Sequence, residues 1–317
     1  MAYRKPSPGR ISPAARITQE IIARLESGTR PWIQPWRGVP VSRPLRACGI
    51  PYRGMNVFWL WMVADMCGYA SPYWMTYNQA KCLGAQVRKG EKSTIAIFYK
   101  SYRKEAEAPD TGDRTDEARR VLKAYPVFNA DQVEGLPERY LPAASLDLVE
   151  TANEPGGREA EFSAFFGAVP AMLRHQGGEA YYEPGADRIT MPPAQLFADF
   201  DYYYATLGHE LSHWTGHPNR LGRDLKHRFG TAAYAAEELI AELSSAILGA
   251  ELGLPVAHLD SHASYIEHWL KLLRQDDRAI LTAAARAEEA SGLLLKHGGR
   301  TIADDSGEAS DAAAIAA

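Results

Sequence analysis

No two cysteines form a C-x-x-C pair; Cys48, Cys67 and Cys82 are isolated and odd in number. That argues against a disulfide framework or a cysteine-held zinc and makes a reducing cytoplasm the expected compartment. The one conspicuous apolar run, "MNVFWLWMVADMCGY", is too short to span a bilayer and is broken by Asp65. The N-terminus has no apolar signal-peptide core, so no export and no membrane partner are expected. Histidine is missing until His175, which confines imidazole-metal chemistry to the second half. Methionine is missing after Met191, which removes any Met-turn downstream of it.

What is present is unevenly spread. Residues 1–105 hold 17 Lys/Arg against 5 Asp/Glu, or +12, and the rest holds 18 against 34, or −16. A basic half joined to an acidic half points to two tasks, one of them involving a polyanion. Five of the tryptophans (Trp32, Trp36, Trp59, Trp61, Trp74) lie in the basic half, leaving Trp214 and Trp269 for the other. With 317 residues and 46% apolar content, a two-domain globular α+β chain is expected.

Local signals place the elements. "SPAARITQEIIARLESG" predicts a helix, with Ser12 as cap, Pro13 in the first turn, an apolar stripe of Ile17, Ile21, Ile22 and Leu25, and Gly28 as stop. "RPWIQPWRGVP" is held extended by its prolines. "YRGMNVFWLWMVADMCG" and "MTYNQAKCLGAQV" predict helices, and "STIAIFYKSY" and "LKAYPVFNADQ" predict strands. Residues 103–120 carry charge without a large apolar side chain before Val121 and read as a solvated loop. "GEAYYEPGADRITMPP" predicts a hairpin turning at "EPGAD", followed by a helix from Phe200 to Trp214, a helix over "AAYAAEELIAELSSAILGAELG" and one or two amphipathic helices over 262–296.

The Phe200–Trp214 helix contains His209-Glu210-Leu211-Ser212-His213. Residues i and i+4 share a helix face, so both imidazoles can reach one metal ion while Glu210, one residue on, lies beside it. There Glu210 can act as general base on a water activated by the ion. Chance occurrence is the plain alternative. The buried side marked by Leu207, Leu211 and Trp214, and the helix stop at Gly216, argue against it. A third ligand is still required. The H-E-x-x-H-x-x-G-x-x-H route fails because Asn219 stands at its last position, and His217 comes two residues early. The other route is a carboxylate from "AEELIAEL". Glu238 is the preferred ligand, with Glu242 holding a histidine from behind; Glu237 is its rival. Tyr234 is either an oxyanion donor or a packed tyrosine. The strand "DRITMPP" is either an edge that an extended peptide joins or a core strand.

The basic half has the composition of a single-strand binder, with cations for the backbone and aromatic faces for the bases. The candidates are Arg30, Trp32, Trp36, Arg37, Arg43, Arg46, Tyr52, Arg53, Trp74, Tyr77, Arg88, Lys89 and Lys92. The opposing reading makes the tryptophans core and the arginines solvation; it fits Trp59 and Trp61, whereas Trp32 and Trp36 are expected to be exposed. No helix-turn-helix or zinc finger is visible.

"ITQEIIARLESGTRPWIQPW", "YRGMNVFWL", "WMTYNQAKCLGAQVRKGEKST" and "YPVFNADQ" resemble the N-terminal domain of plasmid antirestriction proteins of the ArdC type, a domain found also in conjugative primases. "AYYEPGADRITMPP", "YYATLGHELSHWTGH", "YAAEELIAEL" and "WLKLLRQDDRAIL" resemble the metallopeptidase domain that accompanies it. The resemblance implies a small α+β single-stranded-DNA-binding domain followed by a mainly helical zincin-like metallopeptidase domain, acting in antirestriction to protect incoming plasmid DNA during conjugation. It implies Zn2+, or another divalent metal, on His209, His213 and Glu238, with Glu210 as base. The expected limits are 1–133 for the DNA-binding domain, with a loose basic arm at 1–12, then a linker at 134–149, the peptidase at 150–300 and a disordered tail at 301–317. On this plan residues 1–133 bind single strands on their own, and the protein substrate is one bound to DNA or belonging to a restriction system. Two other readings stand beside it: a DNA-shielding binder with a structural or inactive metal site, and a metal-dependent nuclease. The nuclease is the weaker, because the motif makes a single site rather than a carboxylate-rich pair.

Overall fold

The computed structural model describes residues 11–32, 42–104, 117–141, 157–225, 231–254 and 263–300. Helix α1, Pro13–Glu26, begins as its sequence dictates: the Ser12 side chain accepts from the Ala15 amide at 3.0 Å. Its stripe of Ile17, Ile21 and Leu25 is buried. Helix α2, Met55–Cys67, is apolar on every side and correspondingly buried, with Val57, Phe58, Leu60 and Trp61 all inside. It closes on Gly68 in the left-handed region. Helix α3, Tyr77–Cys82, is opened by a reciprocal capping box between Thr76 and Gln79.

Six strands accompany these helices: β1 Leu45–Arg46, β2 Tyr73–Met75, β3 Gln86–Val87, β4 Thr94–Lys104, β5 Glu117–Asn129 and β6 Val133–Glu134. They form a four-stranded sheet of order β1-β2-β5-β4 and a β3-β6 pair. The β4–β5 ribbon pairs continuously from Thr94↔Val127 to Lys104↔Glu117. Its strands therefore run into the 103–120 stretch that the sequence marked as loop, carried there by ladder hydrogen bonds, while its base packs Ala96, Ile97 and Val127 into the core.

The second half contains α4 Gly157–Gly167, strands β7 Met172–His175, β8 Tyr181–Glu183 and β9 Arg188–Met191, then α5 Phe200–Trp214, α6 Ala232–Leu252, α7 Ala263–Gln275 and α8 Ala279–His297. The sheet order is β7-β9-β8. The "DRITMPP" strand is thus central, with Ile189 and Met191 fully buried, and the edges belong to β7 and β8.

The largest core cluster ignores the boundary between the halves. Ile17, Trp32, Phe58 and Trp59 pack in one continuous cluster with Leu239, Leu243, Trp269 and Ala284. Trp32 meets Trp269 edge-on at 5.5 Å between ring centres. Polar links cross as well: Thr18 donates to the Asp277 carbonyl at 2.7 Å, and Arg43 pairs with Glu288 at 2.6 Å and Glu251 at 3.1 Å. Tyr140 lies in a separate, smaller cluster with Met75, Ala80 and Val133, and its hydroxyl donates to the Ala47 carbonyl at 2.8 Å, so the expected linker is packed on the first half as far as this residue.

Candidate metal centre

Helix α5 starts where Asp199 caps it, accepting from the Tyr202 amide at 2.9 Å. Nine residues into it the period carries His209 and His213 to one face, and α6 faces them. The two helices touch closely because their meeting residues are small. Ser212 donates to Ser244 at 3.0 Å across the interface, and Gly208 lies where an added Cβ would sit 3.3 Å from Leu248. That approach sets Glu238 opposite the histidines. The two Nε2 atoms are 3.2 Å apart, and the Glu238 carboxylate oxygens lie 3.7 Å from His209 Nε2 and 3.6 Å from His213 Nε2. Among the described residues, His209, His213 and Glu238 form a group whose ligand atoms all fall within 4.8 Å of one another. The set fits a divalent ion. Two bonds of about 2.0–2.1 Å to nitrogens at this separation subtend roughly 100°, close to tetrahedral.

The donors are strongly perturbed for a plain reason: they are charged or chargeable groups taken out of water. Burial pushes the His213 imidazole down, but its hydrogen bond with Glu237 and the Glu238 charge win and hold it up at about 9. His209 is raised too, with burial opposed first by its bond to Glu238. Burial would raise Glu238, yet His209 and His213, with a hydrogen bond from Tyr234, bring it down to about 2. The proton-rich pocket of the metal-free protein is one that a cation can replace.

The neighbour that orients His213 is Glu237, the residue weighed as a rival ligand. Its Oε1 is 3.2 Å from His213 Nδ1, and Arg223 grips it with Nη2 at 2.8 Å and Nε at 2.9 Å. Adjacent residues on a helix point about 100° apart. Glu238 therefore addresses the Nε2 side of His213 while Glu237 addresses Nδ1. The expectation that Glu242 would hold a histidine is thereby corrected for His213. Glu242 is fully buried one turn on from Glu238, with Arg30 3.6 Å away. Burial pushes its carboxyl up to about 7 against the charges of His209 and Arg30. Glu237 had a signal in the sequence that went unused: a Glu-Glu doublet on one buried helix can supply both a ligand and the carboxylate behind it.

Gly216 has a different reason from helix stopping alone. A Cβ there would lie 2.9 Å from Arg223 Nη2, so the missing side chain lets that guanidinium pass to Glu237 and to the Ser212 carbonyl. His217 is outside the donor group; its Nδ1 accepts from the Asn219 amide at 3.2 Å. Glu210 is buried between His209 and Leu211, at 7% exposure. Tyr234 is half-buried, with its hydroxyl 3.1 Å from that of Tyr265; burial first, then that bond, raises its pKa.

The candidate DNA-contact residues divide. Tyr77, Arg88, Lys89 and Lys92 are exposed on and after α3; Tyr77 receives a hydrogen bond from Gln86 at 3.1 Å, and Arg88 pairs with Glu91 at 2.8 Å. Trp32 and Trp74 are buried at 2% and 1% exposure, which leaves no face for a base and overturns the expectation of an exposed Trp32. Large apolar rings with a core to fill are worth more inside than in solvent. Arg30 faces Glu242, Arg43 is sealed against Glu288 and Glu251, Arg46 is buried and lies over the Tyr52 ring, and Arg53 is half-buried. Trp36 and Arg37 lie outside the described residues.

The fold and the His–His–Glu geometry define a class, the zincin-like metallopeptidases, and residues 160–286 match the family model described as zincin-like metallopeptidase. Residues 12–128 match the N-terminal domain of anti-restriction factor ArdC. The chain is 42% identical over 281 residues to the uncharacterized protein y4eC of Sinorhizobium fredii, covering 86% of this chain and 88% of that one. It is 39% identical over 299 residues to the Escherichia coli DNA primase TraC, of which it spans 27%. The crystal structure of antirestriction protein ArdC from plasmid R388 superposes in its metal-free form with a TM-score of 0.76 at 42% identity, covering 91% of this chain and 98% of that one. A Mn(II)-bound form of the same protein superposes equally well. The chain belongs to the ArdC antirestriction family, and its zincin-like domain implies a divalent metal. No helix among the described residues is long and apolar enough to cross a membrane.

Proposed function

We propose that this chain is a single-stranded-DNA-binding metallopeptidase that acts in antirestriction and protects incoming plasmid DNA during conjugation. The observation that carries the peptidase reading is the convergence of two imidazole nitrogens, 3.2 Å apart, with the Glu238 carboxylate. Zinc on His209, His213 and Glu238 fits that donor set, and the ion's contribution is Lewis-acid polarisation of a carbonyl and activation of water near neutral pH. The chain's own groups do the rest. Glu237 accepts a hydrogen bond from His213 Nδ1–H and so keeps the Nε2 lone pair on the ligand side. Arg223 keeps Glu237 in place. Glu210 takes the proton of the attacking water and returns it to the departing amine.

Residues 1–133 are the DNA-binding unit in this reading, 134–149 a connection, 150–300 the peptidase and 301–317 a tail. The exposed Tyr77, Lys89 and Lys92, with Arg88 held by Glu91, supply a ring to stack on and cations for the backbone, the chemistry that single strands require. Holding a strand raises the local concentration of proteins bound to it, which makes a DNA-bound protein or a component of a restriction system the natural substrate. The test is cleavage of a single-strand-bound protein by the full chain, with and without DNA and with chelator. Chelator-sensitive cleavage that DNA stimulates supports the reading; chelator-insensitive cleavage contradicts it. One observation favours a second reading, a DNA-shielding protein with a structural metal: His209 and Glu238 are each only 5% exposed, as donors of closed sites are. That reading expects DNA protection without any cleavage.

A further inference from the structure

The carboxylate one turn beyond Glu238 belongs to neither the donor set nor the His213 support. Glu242 has no exposed surface and sits on the α6 face that carries Glu238. A carboxylate sealed in this way keeps its charge only beside a cation, and the cation at hand comes from the other half of the molecule: Arg30 Nη1 lies 3.6 Å from Glu242 Oε1, with 13% of the Arg30 side chain exposed. Arg30 does not arrive there by flexible reach. It follows α1, which Thr18 pins to the α7–α8 turn through the Asp277 carbonyl, and it precedes Trp32, locked edge-on against Trp269. Trp269 in turn donates from Nε1 to the Ala235 carbonyl at 3.1 Å, in the first turn of the same helix that carries Glu238 and Glu242. The N-terminal segment thus meets the ligand helix at a defined place beside the donors. Glu242 thus stands between Arg30, 3.6 Å away, and the ligand Glu238, one turn back on the same helix face, and the three groups form one cluster.

We propose that Arg30 is a positioning residue of the metal centre, acting through Glu242, so that the ArdC-type N-terminal half completes the ion site carried by the peptidase half. The proposal rests on the reading that His209, His213 and Glu238 hold a divalent ion. It also reassigns Arg30 from the DNA surface to the interior. Removing the cation leaves a buried carboxylate next to the donors with one counter-charge fewer, and α6 must shift or Glu242 must take a proton. Either change disturbs the donors one turn away. Arg43 provides an internal comparison. It too bridges the halves, but at Glu288 and at Glu251, nine residues further along α6, roughly 13 Å from Glu242.

The experiment measures the Mn(II) dissociation constant of the metal-stripped full chain, together with its melting temperature, for five variants. Arg30→Met and Glu242→Gln should each weaken Mn(II) by about ten- to a hundredfold, as removal of an outer support of a metal ligand does. The double variant should be no weaker than the worse single one, because both act through the same contact. Arg30→Lys should recover part of the loss. Arg43→Met should lower the melting temperature while leaving Mn(II) affinity within about threefold, since it lies outside the cluster. Equal weakening by Arg30→Met and Arg43→Met, or additive losses in the double variant, would overturn the proposal. Should Arg30→Met not fold, the isosteric Glu242→Gln still decides, because wild-type Mn(II) affinity in that variant also overturns it. A His209→Ala control separates the underlying reading: undiminished Mn(II) binding there means that the metal site itself lies elsewhere.

Discussion

Replacing Glu237 by Gln removes one charge and almost no volume from behind His213, and the structure dictates two opposed effects on metal affinity. The first is loss of orientation. Glu237 Oε1 stands 3.2 Å from His213 Nδ1, and Arg223 fixes it with contacts of 2.8 and 2.9 Å. Loss of such a support costs about 10–100-fold in affinity, or about 1.4–2.7 kcal/mol. The second is relief of proton competition. In the wild type His213 keeps its proton up to about 9. A metal binding at pH 7 must expel that proton at a cost of about two pH units, or roughly 2.7 kcal/mol. Without the Glu237 charge most of this cost disappears. At pH 7 the two effects nearly offset each other, whereas at pH 9 only the loss of orientation remains. The assay is competition with a fluorescent chelator from pH 6.5 to 9. Wild-type affinity should climb by at least about tenfold per pH unit below 9, since the raised His209 must lose a proton as well. The Glu237→Gln curve should be flatter, meet the wild type near pH 7 and fall below it by about 10–100-fold at pH 9. Parallel curves would refute the orientation argument. Complete loss of binding, with Glu238→Gln still binding, would make Glu237 the third ligand.

In the metal-free protein the same raised His213 pKa stabilises the fold: the gain is complete below the ordinary 6.5, and lost as pH rises through about 9, so melting temperature should fall across that interval. The depressed Glu238 has the opposite sign, with a gain present above 4.5 and lost as pH falls toward about 2. Tyr77→Ala and Lys89→Ala should weaken single-stranded DNA binding and reduce its salt dependence, whereas Trp74→Ala should cost about 3–5 kcal/mol of stability, read by chemical denaturation. Against the expectation that residues 1–133 bind single strands on their own, a chain cut between residues 141 and 157 should not yield a soluble, folded N-terminal piece. Trp32, Trp59 and Phe58 lose Leu239 and Trp269 as partners, and circular dichroism with gel filtration would reveal the collapse.

Much of the centre was legible because it is local. His209, Glu210 and His213 lie within one helical turn and a half, and spacing alone placed them. Glu238 was legible as a carboxylate of "AEELIAEL" and through the resemblance, whereas the close helix approach at Gly208, Ser212 and Ser244 is seen only in the structure. Glu237 was legible only as one of a Glu-Glu doublet; its supporting role was not, because its partner Arg223 comes from the loop between the helices and reaches it only past the bare Cα of Gly216. The basic half misled in a specific way. Trp32, Arg30 and Arg43 look like an exposed, cationic, proline-held loop, yet each is satisfied by a residue more than two hundred positions away: Trp269, Glu242 and Glu288. Composition records that a segment is basic and aromatic. It does not record that an acidic domain elsewhere in the chain has buried carboxylates waiting for it. The β4–β5 ribbon was shortened for a related reason, since cross-strand pairing such as Lys104↔Glu117 leaves no hydrophobic alternation to read.

The most direct measurement of the account is metal content and substrate cleavage in Glu210→Gln beside the wild type. With the ion held by His209, His213 and Glu238, the variant should retain one divalent ion per chain and wild-type affinity for single-stranded DNA. It should lose cleavage of the DNA-bound protein by at least about a hundredfold, the low end of what a positioned general base contributes. Cleavage at the wild-type rate by the metal-loaded variant would contradict the account.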